Sequence, residues 1–324
     1  VAKWSVFDGV NCVLNSQDFG IFELRLVSVM SENNTEEGIL LYLHNYSFYS
    51  QKVLLALNEK KLTFKTKFVN IANGEQYQQW YLEVNPRGEV PAIKDGNKTI
   101  PDSMKIINHL EENYSDENHP RLVPTDQGAA VIEKHNHLHV IIHDLPADVI
   151  TIGSFYHTDV VGWQKLPFIY PVRRHMKSIT EKGPEKVKAT AEKSSEAIKQ
   201  VLLKKAEELE TMVKTLRTRE SFLQALERVD EVLSEVEEQL KGNKDNPEDW
   251  LVCNKFTLAD VSLTTLLERL NVLGLEGRFW TGGKRPHLQN YFDRVRRREA
   301  YKKSTPSAMF HVKSLIKGIT YMSL

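Results

Sequence analysis

The chain has 324 residues, 41% of them hydrophobic and 27% charged, which is ordinary globular composition with material for two domains and excludes a disordered chain. Lys+Arg and Asp+Glu both total 43, so no global field draws the chain to nucleic acid and any charged surface is a local patch. Two cysteines, Cys12 and Cys253, exclude a disulfide framework and fit a reducing compartment, and no run of about 18 apolar residues free of charge is present to span a bilayer.

The chain opens VAKWSVFDGV, and its first Met is Met30. Residues 1–37 are read as a non-native or flexible segment with the native start expected at Met30. Their acidic residues are unlike the acid-poor, Arg-rich pattern of a mitochondrial transit peptide. From Gly38 the pattern sharpens. ILLYLH reads as a buried strand, and SFYSQKVLLALNEKK places Val53, Leu54 and Leu57 at helical spacing behind Ser47, a hydroxyl suited to an N-cap. TFKTKFVNI alternates Phe64, Thr66 and Phe68 against lysines, EVPAIK and KTI are short strands around Asp95-Gly96-Asn97, and DSMKIINHLEENY is a helix. The order is β-α-β, a connection, then β-β-α.

In NPRGEVPAI, Asn85-Pro86-Arg87-Gly88 has Pro and Gly where a type I turn prefers them. Pro91 then opens a strand although proline donates no ladder bond. An edge strand with incidental prolines is one reading. The other is a thioredoxin-like domain, whose third strand begins after a cis peptide bond, here Val90-Pro91, so that the backbone turns toward a ligand.

NPRGEVPAI followed by IPDSMKIINHLEENY resembles the glutathione-binding half of a glutathione transferase, and WLVCNKFTLADVSL resembles the C-terminal half, with Thr257 and Asp260 as a capping box. More narrowly, SFYSQKV, GEVPAI, FTLADVSL and GKRPHLQNYFDRV are similar to the ganglioside-induced differentiation-associated proteins, a transferase-like family of the mitochondrial outer membrane. The match covers about Ile39 to Lys303. The resemblance implies an α/β thioredoxin-like domain over 38–117 and an all-α domain over 118–305. It also implies a long helical insertion at about 151–220 and an apolar and basic segment over 306–324.

A transferase site needs a donor that stabilises the glutathione thiolate, and a helix N-terminus with a hydroxyl beside it favours negative charge. The resemblance puts Ser47 in that role as the catalytic residue, pairs the tripeptide backbone with Val90 at Pro91, and gives Asp102 and Ser103 the γ-glutamyl end. Each has a plainer reading: Ser47 as a helix cap only, Asp102 and Ser103 as the start of a helix. Tyr46 or Ser50 are substitutes for Ser47. No cofactor is expected, glutathione being ligand or substrate.

About a hundred residues separate AAVIEKHNHLHVIIHDLP from the capping box, more than an ordinary transferase connection. Ile198, Leu202, Leu209, Val213 and Leu216 form one helical stripe and Phe222, Leu226, Val229, Leu233, Val236 and Leu240 another. The first either packs on its own domain or recruits mitochondrial or cytoskeletal proteins. Gly183-Pro184 predicts a loop or broken helix.

His135, His139 and His143 recur every four residues, but without an evident acidic partner the expectation is packed or solvated histidines and no metal. Cys253 reads as a small buried apolar residue. RVRRREAYKK is a basic run on a predicted helix, read as a solvated face, then as a peripheral contact with anionic membrane, with nucleic acid last. Family members continue into a hydrophobic tail anchor, and this sequence stops at Leu324 before one. By resemblance the protein regulates mitochondrial fission and redox homeostasis on the cytosolic face of the mitochondrial outer membrane. Without the anchor the chain is cytoplasmic, and a homodimer is the default assembly. The alternatives are a cytosolic glutathione S-transferase conjugating small electrophiles, and an inactive interaction scaffold.

Overall fold

The computed structural model describes residues 38–163, 165–243 and 249–313. The expected start at Met30, the segment 1–37 with Cys12, and the end of the C-terminal segment lie outside them.

Strand β1 (Ile39–Leu43) leads into helix α1 (Phe48–Glu59), and β2 (Phe64–Phe68) returns parallel to β1. Two single 3-10 turns and the short α2 (Gln79–Leu82) connect to the hairpin β3 (Ala92–Asp95) and β4 (Lys98–Pro101), followed by α3 (Ser103–Asn113). The sheet order is β2-β1-β3-β4, with β3 antiparallel to both neighbours. This is the order that the periodicities predict, β-α-β, a connection, then β-β-α. The hairpin turn falls at Gly96, whose φ of 56° suits a residue without a Cβ. β2 is less buried than its alternation suggests. It is an edge strand, and Phe68 is 49% exposed beside His44.

One sheet face, with Ile39, Leu41 and Leu43, packs on Val53 and Leu57 of α1 and Ile106 and Leu110 of α3. The buried Lys60 ties α1 to α3 through Glu111 at 2.7 Å and also bonds the Pro120 carbonyl, while Glu111 accepts from the Leu122 and Val123 amides. The connection to the helical part is thereby anchored.

That part comprises α4 (Ala129–His143), α5 (Ala147–Tyr156), α6 (Tyr170–Ala191), α7 (Glu196–Arg217), α8 (Arg219–Gly242), α9 (Leu258–Val272), α10 (Glu276–Phe279), α11 (Pro286–Val295) and α12 (Glu299–Ser304). The central helix α9 opens on the Thr257–Asp260 capping box. Asp260 is fully buried and accepts from the Leu251 amide, the Thr257 amide and hydroxyl and the Tyr291 hydroxyl. All six apolar residues predicted on α8 are buried. The stretch Ala129–Tyr156 has the length and hydropathy of a membrane span, but it divides into two helices at Pro146 and packs in the core.

Two expectations are corrected. Gly183-Pro184 does not break the chain, because α6 runs through Pro184. The helix is held from outside: Val187 and Ala191 pack with Leu202 and Ala206 of α7 and Leu82 of α2, which outweighs one missing amide donor. The predicted partner-seeking seam of α7 is thus occupied within the chain. The basic run, in turn, is not one exposed helix face. α11 ends at Val295 and Arg296 and Arg297 are exposed in the turn, whereas Arg294 stacks on Trp250 and Arg298 is clamped by Glu59 at 2.6 and 2.8 Å over Trp250 and Phe256.

Candidate functional site

The N-termini of α1 and α3 and the turn before β3 meet at an open cleft of about 1000 Å³. Ser47, Val90, Pro91, Asp102 and Ser103 all line it, whereas Tyr46 and Ser50 do not. The fully buried Ser50 hydroxyl is instead at 3.5 Å from the His44 amide, and the Tyr46 hydroxyl meets His311 Nδ1 at 3.3 Å.

Ser47 is the N-cap of α1, its Oγ accepting from the Ser50 amide at 3.3 Å. Accepting that bond leaves the hydroxyl proton free to donate toward the cleft. Cap and thiolate donor are therefore compatible, and the N-terminal dipole of a twelve-residue helix adds positive potential at the same spot.

Val90-Pro91 is cis, and Leu166-Pro167, which no sequence signal suggested, is cis as well. Before Pro91 the turn closes with the Gly88 amide on the Asn85 carbonyl at 2.9 Å. The Asn85 side chain and the Tyr81 hydroxyl both donate to the Glu89 carbonyl at 2.7 Å. Gly88 has φ 61°, and a Cβ there would lie 2.8 Å from the Tyr77 ring. The Val90 amide and carbonyl take no partner among the described residues, so an extended peptide can pair with them. Asp102 caps α3 by accepting from Met104 and Lys105, with φ 76°. That left-handed conformation is costly for a non-glycine residue and aims the carboxylate at the cleft rim, 3.8 Å from Arg87.

The outer half of the cleft is walled by α5, α6 and α7, with apolar side chains including Ile152, Ile179, Leu209, Met212 and Leu216. The insertion stretch thus borders the cleft and leaves it open. Lys205 of α7 reaches back to Glu89 at 2.6 Å, which also bonds Arg87 at 2.9 Å, so the wall is tied to the turn that presents Val90.

Several residues here escaped sequence reasoning. Arg269 of α9 is buried behind the first turn of α1, donating to the Tyr46 carbonyl at 2.8 Å, Gln51 Oε1 and Thr151 Oγ1 at 3.3 Å. Burial draws its pKa down to about 10, which leaves it cationic at neutral pH, and burial followed by this cation lowers His44 to about 4. Lys52 is buried against His143, which lines the cleft. The available signal was a charge inside an apolar helical stretch, as in SQKVLLAL and LLERL.

The three histidines stack along α4, with ring centroids 5.9 and 6.3 Å apart. His139 Nδ1 lies 3.0 Å from the Ser262 hydroxyl and 3.2 Å from the Leu258 carbonyl. Burial lowers the pKa of each of the three. Among the described residues no three His, Cys, Asp or Glu side chains are grouped to hold a metal. Cys253 is buried, and burial raises its thiol pKa.

Comparison with known proteins places these features in context. The family models "Glutathione S-transferase, N-terminal domain" and "Glutathione S-transferase, C-terminal domain" match residues 41–118 and 209–299. The chain is 32% identical over 279 residues to ganglioside-induced differentiation-associated protein 1-like 1 of Homo sapiens, covering 82% of this chain and 73% of that protein. It is 26% identical over 271 residues to glutathione S-transferase TCHQD of Arabidopsis thaliana, covering 81% and 88%. Among solved structures, the β-etherase LigF from Sphingobium sp. strain SYK-6 superposes with a TM-score of 0.59 at 22% identity, covering 82% of this chain and 98% of that one. Ure2p in complex with glutathione superposes with a TM-score of 0.56 at 20% identity, covering 84% and 100%. These two likenesses establish the fold.

Proposed function

The chain belongs to the ganglioside-induced differentiation-associated branch of the glutathione S-transferase family, and from that premise we propose that it binds glutathione in the cleft between α1, α3 and the turn before Pro91. One observation carries the reading: Ser47, Val90, Pro91, Asp102 and Ser103, widely separated in sequence, converge on one cleft. In this reading Ser47 donates to the thiolate, Val90 pairs with the tripeptide backbone, and Asp102 and Ser103 receive the γ-glutamyl amino and carboxylate ends. Residues 38–117 hold glutathione and residues 118–305 supply the opposite wall. By family relationship, the binding serves regulation of mitochondrial fission and redox homeostasis at the cytosolic face of the mitochondrial outer membrane, with the protein acting as a homodimer.

The test is calorimetry of the chain with glutathione. Saturable binding that is lost on replacing Ser103 and Asp102 by Ala supports the reading, and no heat of binding at millimolar ligand overturns it. Fractionation of cells expressing the protein at its native level checks the cellular part, which a purely cytosolic pool would refute.

The open, apolar outer half of the cleft favours a second reading, conjugation of glutathione to small apolar electrophiles. Turnover of a generic aromatic electrophile that Ser47→Ala abolishes would establish it.

A further inference from the structure

Lys52 is a buried amine, 1% exposed, in the interior turns of α1. A buried ammonium normally has a carboxylate beside it. Here, among the described residues, the amine instead meets His143 Nδ1 at 3.2 Å and Met104 Sδ at 3.8 Å. Burial lowers its pKa to about 7, opposed at longer range by Asp102 and Asp144. His143 is lowered too, first by burial and then by Lys52. Near neutrality the amine therefore stands between its two forms and has no fixed counter-charge in contact.

The location gives this arrangement a use. His143 forms part of the cleft wall together with Asp102 and Ser103. Met104, the other contact of Lys52, directly follows Ser103 in the first turn of α3. Lys52 and His143 thus stand behind the place where, in the glutathione reading, the γ-glutamyl carboxylate is received.

We infer that Lys52 and His143 form a proton-accepting carboxylate subsite, in which an anionic ligand at Ser103 supplies the missing counter-charge and the pair takes up one proton from solvent on binding. The inference rests on the glutathione reading of the cleft. Lys52 acts as a positioning residue, through His143, and the only bond made is the N–H bond formed when the pair takes its proton from solvent.

The charged groups around α1 divide clearly. Facing Lys52 are Asp102 at the start of α3, His143 and His139 of α4, and Asp144 just after that helix. From α9, Arg269 is held by Tyr46 and Gln51, and Glu268 bonds the Tyr301 hydroxyl. From the turn before α12, Arg298 is held by Glu59. Asp102 is occupied in capping α3, and the ligand carboxylate is the group that changes.

A carboxylate favours the protonated pair, so its pKa is higher in the complex than the free value of about 7. Below the free pKa the pair is already charged and affinity is highest, without proton uptake. Between the free and bound pKa values a proton is taken up and affinity falls by up to about tenfold per pH unit. Above the bound value the gain is gone.

The experiment is calorimetry with S-methylglutathione, whose blocked thiol releases no proton, from pH about 6 to about 9 in buffers of different ionisation enthalpy. Wild-type protein should show uptake approaching one proton just above neutrality and an affinity that declines over the same window. Lys52→Met, of similar volume, should bind with a flatter pH profile and without that uptake, and circular dichroism checks that it folds. If it does not fold, His143→Gln, at a half-buried position, carries the test with the same expectation. Binding by the wild type with no uptake beyond that of the variant overturns this subsite and leaves the glutathione reading intact. Absence of binding at every pH overturns both.

Discussion

In the glutathione reading Ser47 carries two separable loads, and substitution can separate them. Its Oγ accepts from the Ser50 amide as the cap of α1, and its proton is available to a bound thiolate. Ser47→Ala removes both. Losing the cap costs about 1 kcal/mol of folding stability. Losing a hydrogen bond to a charged acceptor costs about 1.5 to 3 kcal/mol, which is a rise of about one to two units in the thiol pKa of bound glutathione. Ser47→Asp keeps an N-cap of comparable quality but sets a negative charge against the thiolate. It should therefore fold as stably as wild type while raising the bound thiol pKa further than Ala does. Urea denaturation reads the first effect, and ultraviolet thiolate absorbance of bound glutathione across a pH titration reads the second. In the glutathione reading the folded site lowers the thiol pKa, so the thiolate is present above the bound pKa and lost below it, and each variant should move that midpoint upward. An unchanged midpoint in both variants would refute the role given to Ser47, and an Ala variant as stable as wild type would refute the cap energetics.

Asp260→Ala leaves the Leu251 and Thr257 amides and the Tyr291 hydroxyl buried without their acceptor. A loss of about 3 to 5 kcal/mol is expected in denaturant unfolding, and a loss under about 1 kcal/mol would show that α9 holds its N-terminus otherwise. Arg298→Glu opposes Glu59, which is 6% exposed, and removes a stack on two aromatic rings, so it should destabilise by about 3 kcal/mol, while the exposed Arg297→Glu stays within about 0.5 kcal/mol. Equal thermal midpoints for the two would contradict the division of the basic run. Lys205→Met unties Glu89 from α7, leaving its bond to Arg87, and should weaken glutathione binding by about twofold to fivefold with little effect on unfolding, whereas unchanged calorimetric affinity would mean that the Val90 turn needs no support from α7.

What the sequence determined by itself was local. Strand and helix periods are set by neighbours within a few residues, so the order from Ile39 to Asn113 was readable. The caps were readable for the same reason: Ser47 serves Ser50, Asp102 serves Met104, and Asp260 serves Thr257. Pro91 was legible because a proline opening a strand has few conformational uses, and the stripe on α8 because one buried face repeats with the helical period. Tertiary structure decided the rest, because it concerns partners that no local spacing encodes. Lys52 meets His143 across 91 positions, Lys205 meets Glu89 across 116, and Arg269 meets Tyr46 across 223. Pro184 reads as a breaker by propensity and lies inside a helix because α7 and Leu82 pack against the same segment. Arg294, Arg296, Arg297 and Arg298 read as one basic patch, yet Trp250, Phe256 and Glu59 draw two of them inward and leave two in solvent. Charge is a property of the residue, but burial and counter-charge belong to the packed molecule, and those two quantities set the chemistry around this cleft.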